Sequence, residues 1–146
     1  AALGTCLADP SRRTIMVTGD GGHQLTANEL GNFYRHGAKP IMFVVNNGGF
    51  GIERVLEQYP DYVYNDIADW EYHKLPAALG CKDWFTARVT TLGELDAAMA
   101  TASEADTGCY IEVVTDKHDY PVEAQKMATR WLEMYGVAEQ PGPPPK

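Results

Sequence analysis

Hydrophobic positions along the chain alternate between short continuous runs and stretches in which apolar residues recur with helical spacing. The continuous runs predict four β-strands, at Thr14–Thr18, Ile41–Val45, Phe85–Val89 and Tyr110–Thr115. The first run, TIMVT, ends at Gly19 as a buried strand would, and Pro40 introduces the second.

Capping residues and glycines between the strands predict where helices begin and end. Thr26 and Glu29 have the spacing of a capping box, which predicts a helix that runs to about Arg35 and stops at Gly37. The opening residues, AALGTCLADP, have the pattern of the end of a helix.

A second capping box, formed by Thr91 and Glu94, predicts another helix. We expect its apolar face to consist of Leu92, Leu95, Met99 and Ala102. Shorter or later helices are predicted at Ile52–Gln58, Leu75–Leu79 and Tyr120–Tyr135. Residues 59–70 carry aromatics and aspartates without a clear period, which predicts a structured loop.

The order of these elements predicts an α/β fold with three layers, in which helices cover both faces of a central parallel sheet. We assign residues 1–135 to this domain and residues 136–146 to a proline-rich flexible tail. Ligands of such sheets bind beyond the carboxyl ends of the strands. Because the loops Gly19–Gly22 and Asn46–Gly51 each follow a strand directly, both should open at that same edge.

Composition and charge narrow the possible partners. The chain has 146 residues, of which 45% are hydrophobic, so it suffices for a hydrophobic core. Its net charge of −8 argues against nucleic acid or an anionic membrane surface as the main partner. The three cysteines, Cys6, Cys81 and Cys109, are widely spaced, which predicts buried free thiols in a reducing compartment, the cytoplasm.

The loop Gly19–Gly22 combines glycines with a carboxylate. Its glycines (Gly19, Gly21 and Gly22) let the backbone approach a ligand closely, and the N-terminus of the following helix suits a phosphate. Asp20 would repel that phosphate. A bridging Mg²⁺ removes the conflict, because Mg²⁺ is bound by one or two carboxylates together with substrate phosphates.

The second loop offers further oxygen ligands for the same ion. Asn47 has a neutral side-chain oxygen, and the glycines after it allow the Gly49 carbonyl to turn inward. The alternative is a pair of glycine-rich surface turns without a ligand. The sequences of a P-loop, a dinucleotide fingerprint and a DxDxDG calcium loop are all absent from the chain.

The Gly19-Asp20-Gly21 sequence, followed by Asn46-Asn47, resembles the cofactor motif of the thiamine diphosphate-dependent enzymes. In this chain Asp20 and Asn47 lie 27 positions apart. The resemblance implies that Asp20, Asn47 and the Gly49 carbonyl bind Mg²⁺, and that Gly21 and Gly22 hold the diphosphate.

The segments GGFGIERV and YNDIADWEYHKLPAALG are similar to stretches of the 2-keto acid decarboxylases, which include pyruvate and indolepyruvate decarboxylases. By this resemblance Glu53 is the catalytic glutamate and Ile52 lies beside the diphosphate. The implied activity is non-oxidative decarboxylation of a 2-keto acid to an aldehyde. Gly22 stands where the family usually has serine, and Phe50 where it usually has tyrosine.

The resemblance covers the diphosphate-binding domain alone, and these decarboxylases also have a pyrimidine-binding domain. It therefore implies a homo-oligomer or a partner chain that supplies the pyrimidine-binding domain, and a partial or split protein that is inactive by itself. Two alternatives remain: a stand-alone binding module without turnover, and a subunit of another thiamine diphosphate enzyme, such as an acetolactate synthase-like carboligase.

Other polar and aromatic residues have ordinary interpretations. We expect His23 to be solvated or to cap a helix. Asp61, Asp66 and Asp69 have the pattern of a solvated acidic loop.

Overall fold

Strands and helices alternate throughout the computed structural model, which describes residues 1–57 and 59–135. The strands are β1 (Ile15–Gly19), β2 (Ile41–Asn46), β3 (Phe85–Val89) and β4 (Cys109–Val114). The helices are α1 (Ala2–Ala8), α2 (Asp20–Gln24), α3 (Leu30–Arg35), α4 (Gly51–Leu56), α5 (Leu75–Ala78), α6 (Leu92–Glu104) and α7 (Val122–Tyr135). Short 3₁₀ turns lie at Ala27–Glu29, Val63–Asn65 and Tyr72–Lys74.

The four strands form one parallel sheet in the order β1-β2-β4-β3. This arrangement confirms the predicted α/β class. Gly19 at the end of β1 pairs with Val45 near the end of β2. The loops that follow these two neighbouring strands therefore leave the sheet side by side, at its carboxyl edge.

Two apolar clusters lie on opposite faces of the sheet, because successive side chains of a strand point to opposite faces. On one face Met42, Val44 and Tyr110 pack with Leu30 and Phe33 of α3. On the other face the sheet packs against α6, in a cluster of Val89, Ala98, Ala102, Cys109 and Ile111. All three cysteines are buried and free, as predicted.

One prediction of burial is wrong and a second is correct only in part, because burial depends on the neighbours that the fold supplies. β1 is an edge strand rather than a buried one, and Ile15 and Val17 are 64% and 68% exposed. Helix α6 turns Ala98 and Ala102 to the sheet, whereas Leu92 and Met99 are 80% and 49% exposed. Of the four residues predicted for the apolar face of α6, Ala102 is buried and Leu95 packs against the cluster, as predicted, whereas Leu92 and Met99 face outward.

Capping predictions have a mixed outcome. Thr91 accepts a hydrogen bond from the Glu94 amide at 3.2 Å, and the Glu94 carboxylate accepts one from the Thr91 amide at 3.1 Å, which confirms this capping box. Thr26 makes no capping hydrogen bond, so that prediction is wrong. The predicted helix after it begins as a 3₁₀ turn and becomes α-helical only at Leu30.

Some predicted boundaries fall where the structure gives no description. The predicted helix Ile52–Gln58 is observed as Gly51–Leu56, and residue 58 lies outside the described residues. The predicted tail, residues 136–146, also lies outside them. Among the described helices, none is long and apolar enough to cross a membrane.

Candidate functional site

Asp20 is the first residue of α2 and lies directly after β1. Although it carries a carboxylate, its side chain is buried, with 1% of its surface exposed. Oδ1 accepts a hydrogen bond from the Gly21 amide at 2.8 Å, and Oδ2 accepts one from the Gly49 amide at 3.1 Å. A buried charge is stable only when it is paired or well hydrogen-bonded. Asp20 thus links the two loops and retains free acceptor positions.

Asn47 brings a third polar group to the same point. One atom of its side-chain amide lies 3.2 Å from Asp20 Oδ1 and 2.9 Å from the Gly49 carbonyl oxygen. With its nitrogen in that position, the amide donates to both oxygens. Turned by 180°, it presents its own oxygen instead, and the three oxygens then form a ligand set that a hard cation such as Mg²⁺ prefers.

Two glycines of the second loop are required, one by its backbone conformation and one by close packing. Gly48 has a φ of 71°, in the left-handed region that favours glycine. A Cβ atom on Gly49 would lie 2.0 Å from the Asn65 carbonyl oxygen and 2.3 Å from Arg54 Nη2. The loop therefore needs bare backbone at Gly49, and this backbone carries one of the predicted ligand oxygens.

A cavity of about 290 Å³ lies between the two loops. Its lining includes all but one of the residues predicted for the site: Gly19, Asp20, Gly21, Gly22, Asn47, Gly49 and Ile52. Phe50 also lines it, and a Cβ on Gly21 would lie 2.6 Å from the Phe50 ring. A side chain at position 21 would therefore have to displace the Phe50 ring, whereas a Cβ on Gly22 would meet nothing closer than 3.9 Å.

Glu53 is the one predicted site residue that does not line this cavity. It lies in the first turn of α4, and its side chain is exposed. Its neighbour Ile52 lines the cavity and is 48% exposed. The fold therefore brings the predicted metal and phosphate residues together and leaves Glu53 beside them.

Arg54 is the residue of this region that sequence reasoning missed. Its side chain is buried, and Nη2 donates to the Gly48 carbonyl at 3.0 Å, the Asn65 carbonyl at 3.1 Å and Asp66 Oδ1 at 2.7 Å. Asp66, predicted to be solvated, is 48% exposed, and it also forms an ion pair with Arg54. An arginine directly after the predicted catalytic glutamate, with aspartates nearby in sequence, was the signal available.

His23 is also placed differently from the prediction. It is buried with 3% exposure, and its Nε2 lies 2.8 Å from the hydroxyl of the fully buried Tyr110. Burial lowers the pKa of His23 from its ordinary value, so the ring is neutral near pH 7. His23 is a buried residue that packs against Tyr110 of the sheet, and it neither caps a helix nor faces solvent.

A buried carboxylate on β4 anchors the strand end that precedes Asn47. Glu112 Oε1 accepts a hydrogen bond from the side-chain amide of Asn46 at 2.8 Å. Its Oε2 lies 2.6 Å from His73 Nδ1 and accepts from the His73 backbone amide at 3.1 Å. Burial alone raises the pKa of Glu112, but the hydrogen bonds from His73 and Asn46 outweigh burial, so its pKa is lowered. Arg88 lies 3.5 Å from Oε1.

Comparison with known protein families gives a match over most of the chain. The family described as "Thiamine pyrophosphate enzyme, C-terminal TPP binding domain" matches residues 1–113. This range contains both glycine-rich loops and every residue predicted for the site.

Individual relatives agree with this match. The chain is 46% identical over 122 residues to an alpha-keto-acid decarboxylase of Mycobacterium leprae, covering 83% of this chain and 21% of that protein. It is 44% identical over 124 residues to the alpha-keto-acid decarboxylase of Mycobacterium avium, covering 83% of this chain and 22% of that protein. The chain thus spans about a fifth of the length of these curated relatives.

A solved structure has a similar fold. Benzoylformate decarboxylase from Polynucleobacter necessarius superposes with a TM-score of 0.68 at 25% sequence identity. The match covers 82% of this chain and 23% of that chain.

Proposed function

The chain belongs to the thiamine pyrophosphate enzymes by way of their C-terminal TPP-binding domain, and from this premise we propose that it holds the diphosphate of thiamine diphosphate together with Mg²⁺. One observation carries the proposal. The Asp20 carboxylate, the Asn47 amide and the Gly49 carbonyl converge at a cavity lined by glycines.

These three groups fit the chemistry of Mg²⁺. Asp20 supplies the charged oxygen, and Asn47 and Gly49 supply neutral ones. No cluster of three or more histidine, cysteine or acidic side chains suited to a metal occurs in residues 1–57 and 59–135. A cation at this edge would therefore depend on one carboxylate, and diphosphate oxygens would complete its coordination.

Bare backbone gives the diphosphate room beside the metal. Gly19, Gly21 and Gly22 line the cavity without side chains, at the start of α2, where backbone N–H groups lack carbonyl partners within the helix. The buried Asp20 carboxylate would oppose an anion on its own, so we propose that anion and cation bind together.

The proposed reaction converts a 2-keto acid to an aldehyde and CO₂, without an oxidant. Relatives 42–46% identical to the chain are named alpha-keto-acid decarboxylases, which supports this substrate class. When bound, thiamine diphosphate supplies the electron sink for carbon–carbon cleavage. We assign Glu53 to holding or delivering a proton near the substrate, and Ile52 to apolar packing beside the cofactor.

A second domain is needed to enclose this site. Phe50 and Ile52 line the cavity yet are 38% and 48% exposed, so the cavity mouth presents apolar surface. We propose that a pyrimidine-binding domain covers it, supplied by another part of the protein, by a separate chain or by a second subunit of a homo-oligomer. Within this assembly residues 1–135 are the diphosphate-binding domain, and three buried free thiols favour a cytoplasmic location.

Calorimetric titration with thiamine diphosphate, with and without Mg²⁺, tests the proposal. Binding should require Mg²⁺, and Asp20→Ala should weaken it about 10- to 100-fold, since interactions with a charged group contribute about 1.5–3 kcal/mol. Asp96→Ala, which removes an exposed carboxylate of α6, is the matched control and should leave binding unchanged. Equal titrations for the wild type and Asp20→Ala would reject the metal assignment.

A further inference from the structure

We propose that Arg54 is a positioning residue for the metal, which sets the orientation of the two peptide groups on either side of Gly49. The proposal rests on the proposed function, because it concerns the same Mg²⁺ ligands. Arg54 itself lies too deep in the fold to touch a cofactor, since its side chain is fully buried.

The Gly48–Gly49 peptide is held on both of its sides. Its carbonyl oxygen accepts a hydrogen bond from Arg54 Nη2 at 3.0 Å, and its N–H donates to Asp20 Oδ2 at 3.1 Å. A trans peptide is planar, so its C=O and N–H point in opposite directions. Rotation of this plane would break both bonds, and Arg54 therefore holds the N–H of Gly49 toward Asp20.

The following peptide, Gly49–Phe50, is held through a shared acceptor. The Phe50 N–H donates to the Asn65 carbonyl at 3.0 Å, and Arg54 Nη2 donates to that same carbonyl at 3.1 Å. The opposite side of this peptide is the Gly49 carbonyl, which points toward the Asn47 amide at 2.9 Å. By fixing Asn65, Arg54 directs the proposed ligand oxygen of Gly49 toward Asn47.

Asp66 keeps the guanidinium in place. Its Oδ1 lies 2.7 Å from Nη2 and supplies the counter-charge that a buried arginine needs. An arginine is planar and presents its donors in a fixed geometry, whereas a lysine is a flexible point charge whose pKa shifts readily when it is buried. Lysine at position 54 would keep a charge but lose the fixed geometry.

A comparison of Mg²⁺ with Ca²⁺ distinguishes a positioning role of Arg54 from a role in overall stability. Mg²⁺ demands near-ideal octahedral geometry at about 2.0–2.1 Å, whereas Ca²⁺ accepts flexible geometry at about 2.3–2.6 Å. If Arg54 aims the Gly49 carbonyl, loosening it should harm Mg²⁺-supported binding more than Ca²⁺-supported binding. If Arg54 only stabilised the fold, its substitution would weaken Mg²⁺-supported and Ca²⁺-supported binding equally.

The test is calorimetric titration of the chain with thiamine diphosphate in Mg²⁺ or in Ca²⁺, for wild type, Arg54→Lys and Asp66→Asn. Residues that orient metal ligands typically change affinity about 10- to 100-fold when mutated, so Arg54→Lys should weaken Mg²⁺-supported binding by about that factor. Its Ca²⁺-supported binding should weaken less. Asp66→Asn should also weaken Mg²⁺-supported binding more than Ca²⁺-supported binding, with a smaller effect. If Arg54→Lys does not fold, the result for Asp66→Asn tests the positioning role.

Arg13→Lys is the matched control. Arg13 also binds backbone carbonyls, those of Lys39, Ala102, Ala105 and Thr107. Its substitution should lower the thermal midpoint and leave both metal-supported affinities unchanged. Unchanged Mg²⁺-supported binding in a folded Arg54→Lys, or an equal loss with both metals, would overturn the positioning role alone. No Mg²⁺-dependent binding by the wild type would overturn the proposed function and this inference together.

Discussion

At the scale of single residues, the contact between Gly21 and Phe50 links the two loops of the candidate site. A Cβ on Gly21 would lie 2.6 Å from the Phe50 ring, closer than van der Waals contact allows. Because Phe50 is 38% exposed, its ring has space to move away. A side chain at position 21 therefore displaces a residue of the cavity wall without entering the core.

Gly21→Ala should weaken Mg²⁺-dependent binding of thiamine diphosphate while changing stability little. Alanine favours a helix over glycine by about 1 kcal/mol, which offsets part of the cost of moving Phe50. Gly22→Ala is the control for size alone, because the nearest atom to its Cβ would be 3.9 Å away. Calorimetry and thermal melts of both variants measure the two effects. Equal binding by both variants would show that the contact with Phe50 has no part in shaping the site.

A second residue-scale feature is the buried Glu112, whose lowered pKa makes stability depend on pH. A carboxyl with a lowered folded-state pKa binds its proton more readily in the unfolded chain. Its contribution is therefore complete above its ordinary pKa of 4.5, and is lost as pH falls from there through the lower folded-state pKa. The groups that face it are His73, Asn46 and Arg88.

Glu112→Gln should cost about 1–3 kcal/mol of unfolding free energy at pH 7, because it leaves buried donors without their charged acceptor. The difference between wild type and variant should shrink as pH falls below about 4.5, because the carboxyl of the unfolded wild-type chain takes up its proton there while that of the folded protein does so only at lower pH. Urea denaturation of both proteins at a series of pH values measures this. A difference that stays constant from pH 7 down to pH 3 would contradict the lowered pKa of Glu112.

At the scale of elements, two threonines with the same sequence signal have different structural roles. Thr91 caps α6 and forms a complete capping box with Glu94. Thr26 has a glutamate at the same spacing, yet it precedes a 3₁₀ turn and makes no capping bond. The local sequence is alike, and the backbone conformation that follows decides whether the bond forms.

Thr91→Ala should destabilise the protein by about 1 kcal/mol, within the usual range of about 0.5–2 kcal/mol for loss of an N-cap. Thr26→Ala should cost clearly less, since no capping bond is lost. Chemical denaturation of both variants compares the two sites directly. A larger effect at Thr26 than at Thr91 would contradict the capping assignments.

At the scale of the whole molecule, the 146-residue chain carries the proposed diphosphate site but spans about a fifth of the length of its decarboxylase relatives. Its cavity opens between the two loops, with apolar Phe50 and Ile52 partly exposed at its lining. Glu53 is exposed beside it. This arrangement agrees with the proposal that another domain completes the site.

The chain by itself should release no aldehyde from a 2-keto acid. Positioned acid–base groups typically contribute about 10²- to 10⁴-fold each, and Glu53 alone lacks the partners that a pyrimidine-binding domain would supply. The assay incubates purified protein with thiamine diphosphate, Mg²⁺ and pyruvate or indolepyruvate. Sustained aldehyde release that Glu53→Gln abolishes would show instead that this chain alone builds a complete site.

The sequence by itself predicted the strands of this protein and the residues that its two loops bring together. Four apolar runs predicted the four strands, because a strand of a covered parallel sheet needs apolar side chains on both faces. The Gly-Asp-Gly and Asn-Asn sequences predicted which residues meet at the cavity, because parallel strands end at the same edge. The family was likewise identifiable from these short motifs, and the comparisons confirm it.

Only the tertiary structure decided which neighbours each element meets. The order β1-β2-β4-β3 leaves β1 at an edge, so Ile15 and Val17 are exposed despite their apolar character. Arg54 and Asp66 lie 12 positions apart, and the sequence does not indicate which of the nearby aspartates pairs with the arginine. Burial depends on contacts between segments distant in sequence, whereas periodicity and capping signals report only the local backbone.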